Sequence, residues 1–309
     1  MTTPVVFLMG TTATGKTDAA AALFEQLDAD LISVDSSLVY TGMDIGSAKP
    51  DKEFLQRYPH ELVDVTHPNQ TWSVADFYND AMPLIHRSIE QGRVPVLVGG
   101  THFYFSALEQ GLSDLPRANP ELRAEITQQA EQQGWPSLHA KLAVLDPQSA
   151  QRIDRNDAQR IQRALEIVLE SGLPVAEHAV ARKPGLPYPI LKIALAYSDR
   201  SYLHERIGLR FDLMLEQGLQ TEVEQLLADG VNPECTAMKM IGYRQMLQHL
   251  RGEISHDDMR LQGIAATRQL AKRQLTWLRN QSNLVWWVDF GLKDRKFQPL
   301  VEFVKQVVK

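Results

Sequence analysis

At 309 residues and 44% apolar side chains, the chain can fill a full core with a sub-domain, which excludes a small scaffold that depends on cross-links. The single cysteine, Cys235, leaves no intrachain disulfide and no thiolate zinc cluster, and a net charge of −6 argues against nonspecific coating of nucleic acid. No apolar run approaches a membrane span and MTTP leads straight into VVFLMG without a leader's basic start, so a cytoplasmic protein is expected.

Strand-like runs follow at PVVFLMG (4–10), DLISVDS (30–36), ELVDV (61–65), VPVLVGG (94–100), LKIALAYS (191–198) and NLVWWVDF (283–290), mostly separated by helical patterns. They are continuously apolar, as strands covered on both faces are, and predict an α/β fold with a parallel sheet whose ligands sit beyond the strands' carboxyl ends. Trp286 and Trp287 are assigned to the core of the last run. Between Gly111 and about Pro189 the strand signal gives way to helical spacing, as in DAQRIQRALEIVLESG, with turn-rich borders GLSDLPRANP and ARKPGLPYP. The expected organisation is a first core part (1–112), a helical insertion (113–189), and a second core part (190–309) with basic C-terminal helices. From Lys239 to Asn280 eight cations face three carboxylates, a basic segment in an acidic chain.

The sharpest local motif is GTTATGKT, Gly10, Thr11, Thr12, Ala13, Thr14, Gly15, Lys16 and Thr17, set between an apolar strand and the Ala-rich helix DAAAALFEQL. Gly10 and Gly15 let the backbone wrap an anion, loop N–H groups and the helix N-terminus point at it, and Lys16 adds a mobile positive charge. Thr17 offers its hydroxyl to Mg²⁺, the expected cofactor. A diphosphate or triphosphate ligand follows. Many enzymes with this loop hold Mg²⁺ through an Asp closing a second apolar strand, but VPVLVGG ends in Gly99, Gly100 and Thr101, which counts against an ordinary ATPase. Asp35, ending LISVDS, is a metal ligand or a base facing the phosphate site, and spacing leaves both roles open.

Four blocks together resemble the tRNA dimethylallyltransferases, also called isopentenyltransferases or the IPP transferase family: GTTATGKT (10–17), ISVDSSLVYTGMDIGSAKP (32–50), VGGTHFYFSAL (98–108) and AKRQLTWLRN (271–280). The resemblance spans essentially the whole chain and implies a P-loop NTPase-like core. It further implies attack by the exocyclic amino nitrogen of the adenine just 3′ of the anticodon on dimethylallyl diphosphate, giving isopentenyladenosine and diphosphate, in tRNAs that read codons starting with U. The loop then grips a leaving group, where negative charge grows in an allylic cation-like transition state. By match to the family, Asp35 takes the amino proton, Thr101 places a hydroxyl near the reacting centre, and Ser36, Ser37 and Leu38 meet the substrate nucleoside. His102, where relatives carry a small or aliphatic residue, is given no role, and Ser47 stands conservatively for Thr.

The tRNA partner must be held with its adenine splayed out. The resemblance assigns Arg123 and the stretch Gln159, Arg160, Ile161, Gln162 and Arg163 of the insertion to the anticodon arm. It gives tRNA contact to the block Met240, Ile241, Gly242, Tyr243, Arg244 and Gln245 and to Lys272, Arg273, Gln274, Leu275, Thr276, Trp277, Leu278 and Arg279. Helical spacing puts Arg273 and Trp277 on one face, and Trp277 is equally suited to base stacking or core packing. Arg206 and Arg210, one turn apart, fit either a second cation near the diphosphate or ion pairs with Glu205 or Asp212. No histidine spacing suggests zinc. The protein is expected to act as a monomer, with dimethylallyl diphosphate and tRNA as partners and no membrane. The competing readings are a small-molecule kinase, which needs no RNA, and a non-catalytic RNA-binding module.

Overall fold

A computed structural model describes residues 3–179, 182–289, 294 and 296–308 of the chain. The strands are β1 (Val5–Gly10), β2 (Ala29–Val34), β3 (His60–Glu61), β4 (Val94–Gly99), β5 (Leu112–Ser113), β6 (Arg182–Lys183), β7 (Ile190–Ala196) and β8 (Leu284–Val288). The helices are α1 (Lys16–Gln26), α2 (Lys52–Arg57), α3 (Val74–Glu90), α4 (His102–Gln110), α5 (Pro120–Gln133), α6 (Trp135–Leu145), α7 (Pro147–Arg152), α8 (Ala158–Ser171), α9 (Arg200–Glu216), α10 (Leu219–Ala228), α11 (Tyr243–Leu250), α12 (His256–Arg279) and α13 (Gln298–Val308).

Two compact units emerge, one of residues 1–108 and 186–309, the other of 109–185. The larger unit is built on a parallel sheet in the order β3-β2-β4-β1-β7-β8. β1 and β4 are buried along their whole length, the reason their sequences are apolar without alternation. On one face Val6, Leu8, Val96 and Ile193 pack with Ala19, Ala20 and Leu23 of α1 and Leu300, Val301 and Val304 of α13; on the other, Phe7 meets Phe105 of α4 at 4.9 Å between ring centroids. A second apolar cluster joins Val39, Tyr40 and Met43 to Ile207, Phe211, Leu219, Tyr243 and Ala271 of the C-terminal helices.

Three expectations need correction. The run at 61–65 is a strand only at its start, pairing Leu31 with His60 and Ile32 with Glu61. Leu62 and Asp64 take φ of 63° and 55°, and such left-handed residues end a strand. Trp286 is 38% exposed, because β8 is an edge strand whose period of two sends Val285 and Trp287 into the core and Trp286 outward. Phe290, the last residue of that expected run, lies outside the described residues. The insertion occupies Glu109–Gly185 instead of 113–189, and it contains an antiparallel pair that the sequence did not signal, Leu112 with Lys183 and Ser113 with Arg182. A two-residue strand is too short to show periodicity. Ala181, which opens the expected exit linker, is not described. Inside the insertion, Ile126, Leu138, Leu142, Ile161 and Leu165 form a core of its own.

Candidate functional site

The phosphate loop leaves β1 at Gly10, where a Cβ would sit 2.7 Å from the Leu195 carbonyl, so only glycine fits. The loop turns through left-handed Ala13 (φ 64°) and Gly15 (φ 83°) into α1, which opens with Lys16 and Thr17. Thr11 and Thr14 are buried, and Thr14 Oγ1 donates to the Thr11 carbonyl at 2.7 Å, closing the loop on itself. Lys16 Nζ donates to that same carbonyl at 2.7 Å. Burial brings the Lys16 ammonium down to about 8; Asp35 opposes that shift and Arg210 adds to it.

Asp35 and Thr101 follow the ends of the neighbouring parallel strands β2 and β4. Asp35 Oδ1 accepts from the Ser37 amide at 2.9 Å and the Ser37 hydroxyl at 2.5 Å. Among the described residues its Oδ2 accepts nothing, which leaves one carboxylate oxygen to take a proton. Thr101 N donates to the Val34 carbonyl at 3.1 Å and Thr101 Oγ1 accepts from the Ser36 amide at 3.0 Å, stitching the two strand ends together.

Arg206 Nε donates to the Ala13 carbonyl at 3.1 Å and Arg210 Nη1 to Thr12 Oγ1 at 3.3 Å. Burial lowers the Arg210 pKa, with Asp35 opposing and Arg206 reinforcing the shift. Asp212 is engaged by Arg260 instead, at 2.5 and 2.7 Å. Of the two open readings for these arginines, the structure selects cations at the phosphate loop.

A cavity of about 890 Å³ joins these groups. Lys16, Thr17 and Arg210 line it beside the phosphate loop; Asp35, Ser36, Ser37, Leu38 and Thr101 line it beside the ends of β2 and β4; Ile207, Phe211, Met214, Met240 and Ile241 supply an apolar wall; Lys239, Arg244 and Arg273 add positive charge. A smaller depression of about 500 Å³ runs along α12 between Lys272, Arg273, Thr276 and Trp277. Trp277 is half-buried and stacks on His102, ring centroids 4.3 Å apart and planes 6° from parallel. Burial, aided by Lys16, brings the His102 imidazole down to about 4, which keeps it in the neutral form at physiological pH.

Several side chains expected to touch RNA are instead spent inside the chain. Ile161 and Leu278 are fully buried. Gln245 accepts from the Gly242 amide at 2.9 Å to cap α11, and Tyr243, fully buried, donates its hydroxyl to Glu222 at 2.7 Å. Gln274, buried, bonds the phosphate loop and the end of β4. Ile161, Gln274 and Leu278 have neighbours on both sides that are exposed or half-buried, because consecutive helical residues point about 100° apart, whereas in the block Met240–Gln245 only Arg244 is exposed. In the insertion, Arg123 forms a bidentate pair with buried Glu166, which also accepts from Arg163 Nη1 at 3.1 Å. Arg163 further donates to the Pro116 carbonyl at 2.8 Å. Gln162 donates to Thr127 Oγ1 at 2.8 Å. Gln159 and Arg160 are exposed, the latter's side chain 74% so.

Two structural residues escaped the sequence reading. Glu222 on α10 accepts from the amides of Asp44, Ile45 and Gly46 at 2.9, 2.6 and 3.0 Å, in addition to Tyr243. Lys49, its side chain only 2% exposed, donates to the Tyr40 carbonyl, Asp44 and Asp64 at 2.8, 2.6 and 2.5 Å. Together they fold the segment Tyr40–Lys49 into a wall of the cavity.

The family model for IPP transferases matches residues 38–281. The chain belongs to that family. Within it, curated relatives named tRNA dimethylallyltransferase from Thiobacillus denitrificans and Methylobacillus flagellatus are 53% and 51% identical; the first match covers 90% of this chain and 89% of the relative, the second 91% and 90%. Among solved structures, a full-length tRNA isopentenylpyrophosphate transferase from Bacillus halodurans is 36% identical with TM-score 0.71, over 99% of this chain and 96% of that one. A eukaryotic dimethylallyltransferase acting on tRNA is 25% identical with TM-score 0.79, over 98% and 80%. The P-loop NTPase-like architecture is thus the family's, and among the described residues no helix is long and apolar enough to cross a membrane.

Proposed function

We propose that this enzyme transfers the dimethylallyl group of dimethylallyl diphosphate to the exocyclic amino nitrogen of the adenine 3′ of the anticodon in tRNAs reading codons that start with U. The observation that carries this reading is a single cavity in which phosphate-loop cations, an apolar wall and the Asp35 carboxylate meet. An allylic diphosphate needs both ends of that cavity: cations for its phosphates and aliphatic and aromatic side chains for its five-carbon chain.

In the reaction the amino nitrogen forms a bond to the terminal allylic carbon as the carbon–oxygen bond to diphosphate breaks. The electron pair leaves with the diphosphate, where loop amides, Lys16 and Arg210 stabilise it. The nitrogen's lone pair is delocalised into the ring, so removal of its proton by Asp35 Oδ2 assists the attack. Ser37 holds Oδ1 and thereby aims the other oxygen. Thr101, fixed to the end of β2, presents its hydroxyl beside the same site.

Mg²⁺ fits the donor chemistry of this site. Thr17 supplies a hard hydroxyl oxygen on the cavity wall, and among the described residues no group of three His, Cys, Asp or Glu side chains is placed to hold a metal by protein alone. That pattern suits an ion bound mainly through substrate phosphates. When bound, it neutralises charge on the departing diphosphate.

Lys239, Arg244, Lys272, Arg273 and Trp277 are the groups that would meet the anticodon stem-loop in the larger unit; in the insertion, the exposed Gln159 and Arg160 are the candidates for tRNA contact. The kinase alternative lacks an acidic residue after β4, whose end is Gly99, Gly100 and Thr101. Incubation with Mg²⁺, labelled dimethylallyl diphosphate and unmodified tRNA, followed by nucleoside mass analysis, tests the proposal. Label on the adenosine beside the anticodon is expected. ATP consumption on a small acceptor without RNA labelling would put the kinase first.

A further inference from the structure

Gln274 lies in the middle of the basic stretch of α12 that presents Arg273 and Trp277, yet its own side chain turns away from that surface. It is 6% exposed. Its Oε1 accepts from the Thr12 amide at 2.8 Å, and its Nε2 donates to the Gly100 carbonyl at 3.0 Å. The two partners fix the amide's orientation: a backbone N–H demands the oxygen and a backbone carbonyl demands the NH₂, so no flip satisfies both. Gly100 is shaped to this contact, because a Cβ there would lie 2.5 Å from Gln274 Nε2. The second glycine of VGGT thus admits a side chain from a helix far away in sequence.

Thr12 belongs to the loop that receives the diphosphate, and Gly100 immediately precedes Thr101. One side chain therefore spans the two elements whose spacing sets the distance between leaving group and reacting centre. Misplacement by an ångström at such a junction is costly, since orientation supplies much of an enzyme's advantage. We propose that Gln274 is a positioning residue for the transfer, holding the phosphate loop in register with the end of β4, and not a tRNA contact. The proposal rests on the transferase reading for its kinetic consequence but not for its binding consequence.

The test uses the full chain, with inorganic diphosphate plus Mg²⁺ and unmodified tRNA as separate binding probes. Gln274→Ala is expected to weaken diphosphate binding about tenfold and, in the transfer assay, to raise the KM for the donor and lower kcat by similar factors. Affinity for tRNA should stay within twofold. Gly100→Ala approaches the contact from the other side and should reproduce that signature, because its methyl group displaces the Gln274 amide. Combining the two should be no worse than Gln274→Ala alone, since the truncated side chain leaves room for the methyl; independent sites would multiply their effects. Weakened tRNA binding in Gln274→Ala with unchanged diphosphate affinity would overturn the proposal, as would multiplicative losses in the double variant. If the unaltered protein transfers nothing, the functional reading fails, while the diphosphate titrations still decide Gln274's role.

Discussion

Replacing Glu222 with alanine removes the acceptor for three consecutive backbone amides and for the buried Tyr243 hydroxyl at once. The Asp44 amide is exposed and water will take the place of the carboxylate, so its loss costs little. The Ile45 and Gly46 amides are half-buried, worth about 1 kcal/mol each, and the Tyr243 hydroxyl, enclosed against the loop, about 1–2 kcal/mol. The sum is about 3–4 kcal/mol. For a chain of this size about 2 °C of Tm accompanies each kcal/mol, which gives a fall of about 6–8 °C by calorimetry. Tyr243→Phe, which leaves the carboxylate its three amides, should lose only about 1 kcal/mol. The loop also forms cavity wall through Gly46, Ser47 and Ala48, so Glu222→Ala measured well below its Tm should transfer more slowly than Tyr243→Phe. A Tm shift below about 2 °C together with unimpaired transfer would refute the view that this carboxylate folds the loop.

Asp35→Asn keeps the size and the acceptor for Ser37 but takes no proton; turnover should fall by about 10²–10⁴-fold in single-turnover assays while tRNA affinity is retained. Because burial depresses Lys16 to about 8 in the free protein, its charge is present below that pH and lost above it. Affinity for an organic diphosphate should therefore drop about tenfold from pH 7 to pH 9 in titration calorimetry, beyond any change seen with Lys16→Met. Arg123→Ala strands the buried Glu166 with Arg163 as its remaining partner and should destabilise the insertion by about 2–3 kcal/mol. Arg160→Ala, by contrast, removes an exposed side chain whose ion pair among the described residues is with Asp157, the N-cap of its own helix, so Tm should hold within about 1 °C while tRNA binding weakens and loses part of its salt dependence.

The sheet was legible because parallel strands buried on both faces write themselves as unbroken apolar runs: β1, β4 and β8 fall within the expected ones, and β2 and β7 begin one residue earlier than theirs. The phosphate-loop motif was legible because its residues lie close together in the chain, Gly10 to Thr17 between β1 and the start of α1. Gln274 and Glu222 were not, since each acts on a segment distant in sequence, and a single polar side chain on a helix gives no sign of whether it meets water or a backbone amide. The pairing of Arg123 was not legible for the same cause; its partner Glu166 sits in an apolar stretch of α8 whose pattern does not reveal a buried carboxylate. Trp286 shows the converse limit, for an edge strand can read as a central one when both its faces are apolar.

Where the chain leaves the larger unit and where it returns, the Leu186 amide donates to the Leu108 carbonyl at 2.8 Å. The detour from Glu109 to Gly185 is thus a closed loop whose ends are tied within the host, and closing even a long loop costs little more than closing a short one. The host can consequently tolerate large changes in the detour's length without repositioning β7 beside β1. On the proposed function, the insertion's own tRNA groups, Gln159 and Arg160, can thereby vary without disturbing the geometry of bond formation in the host.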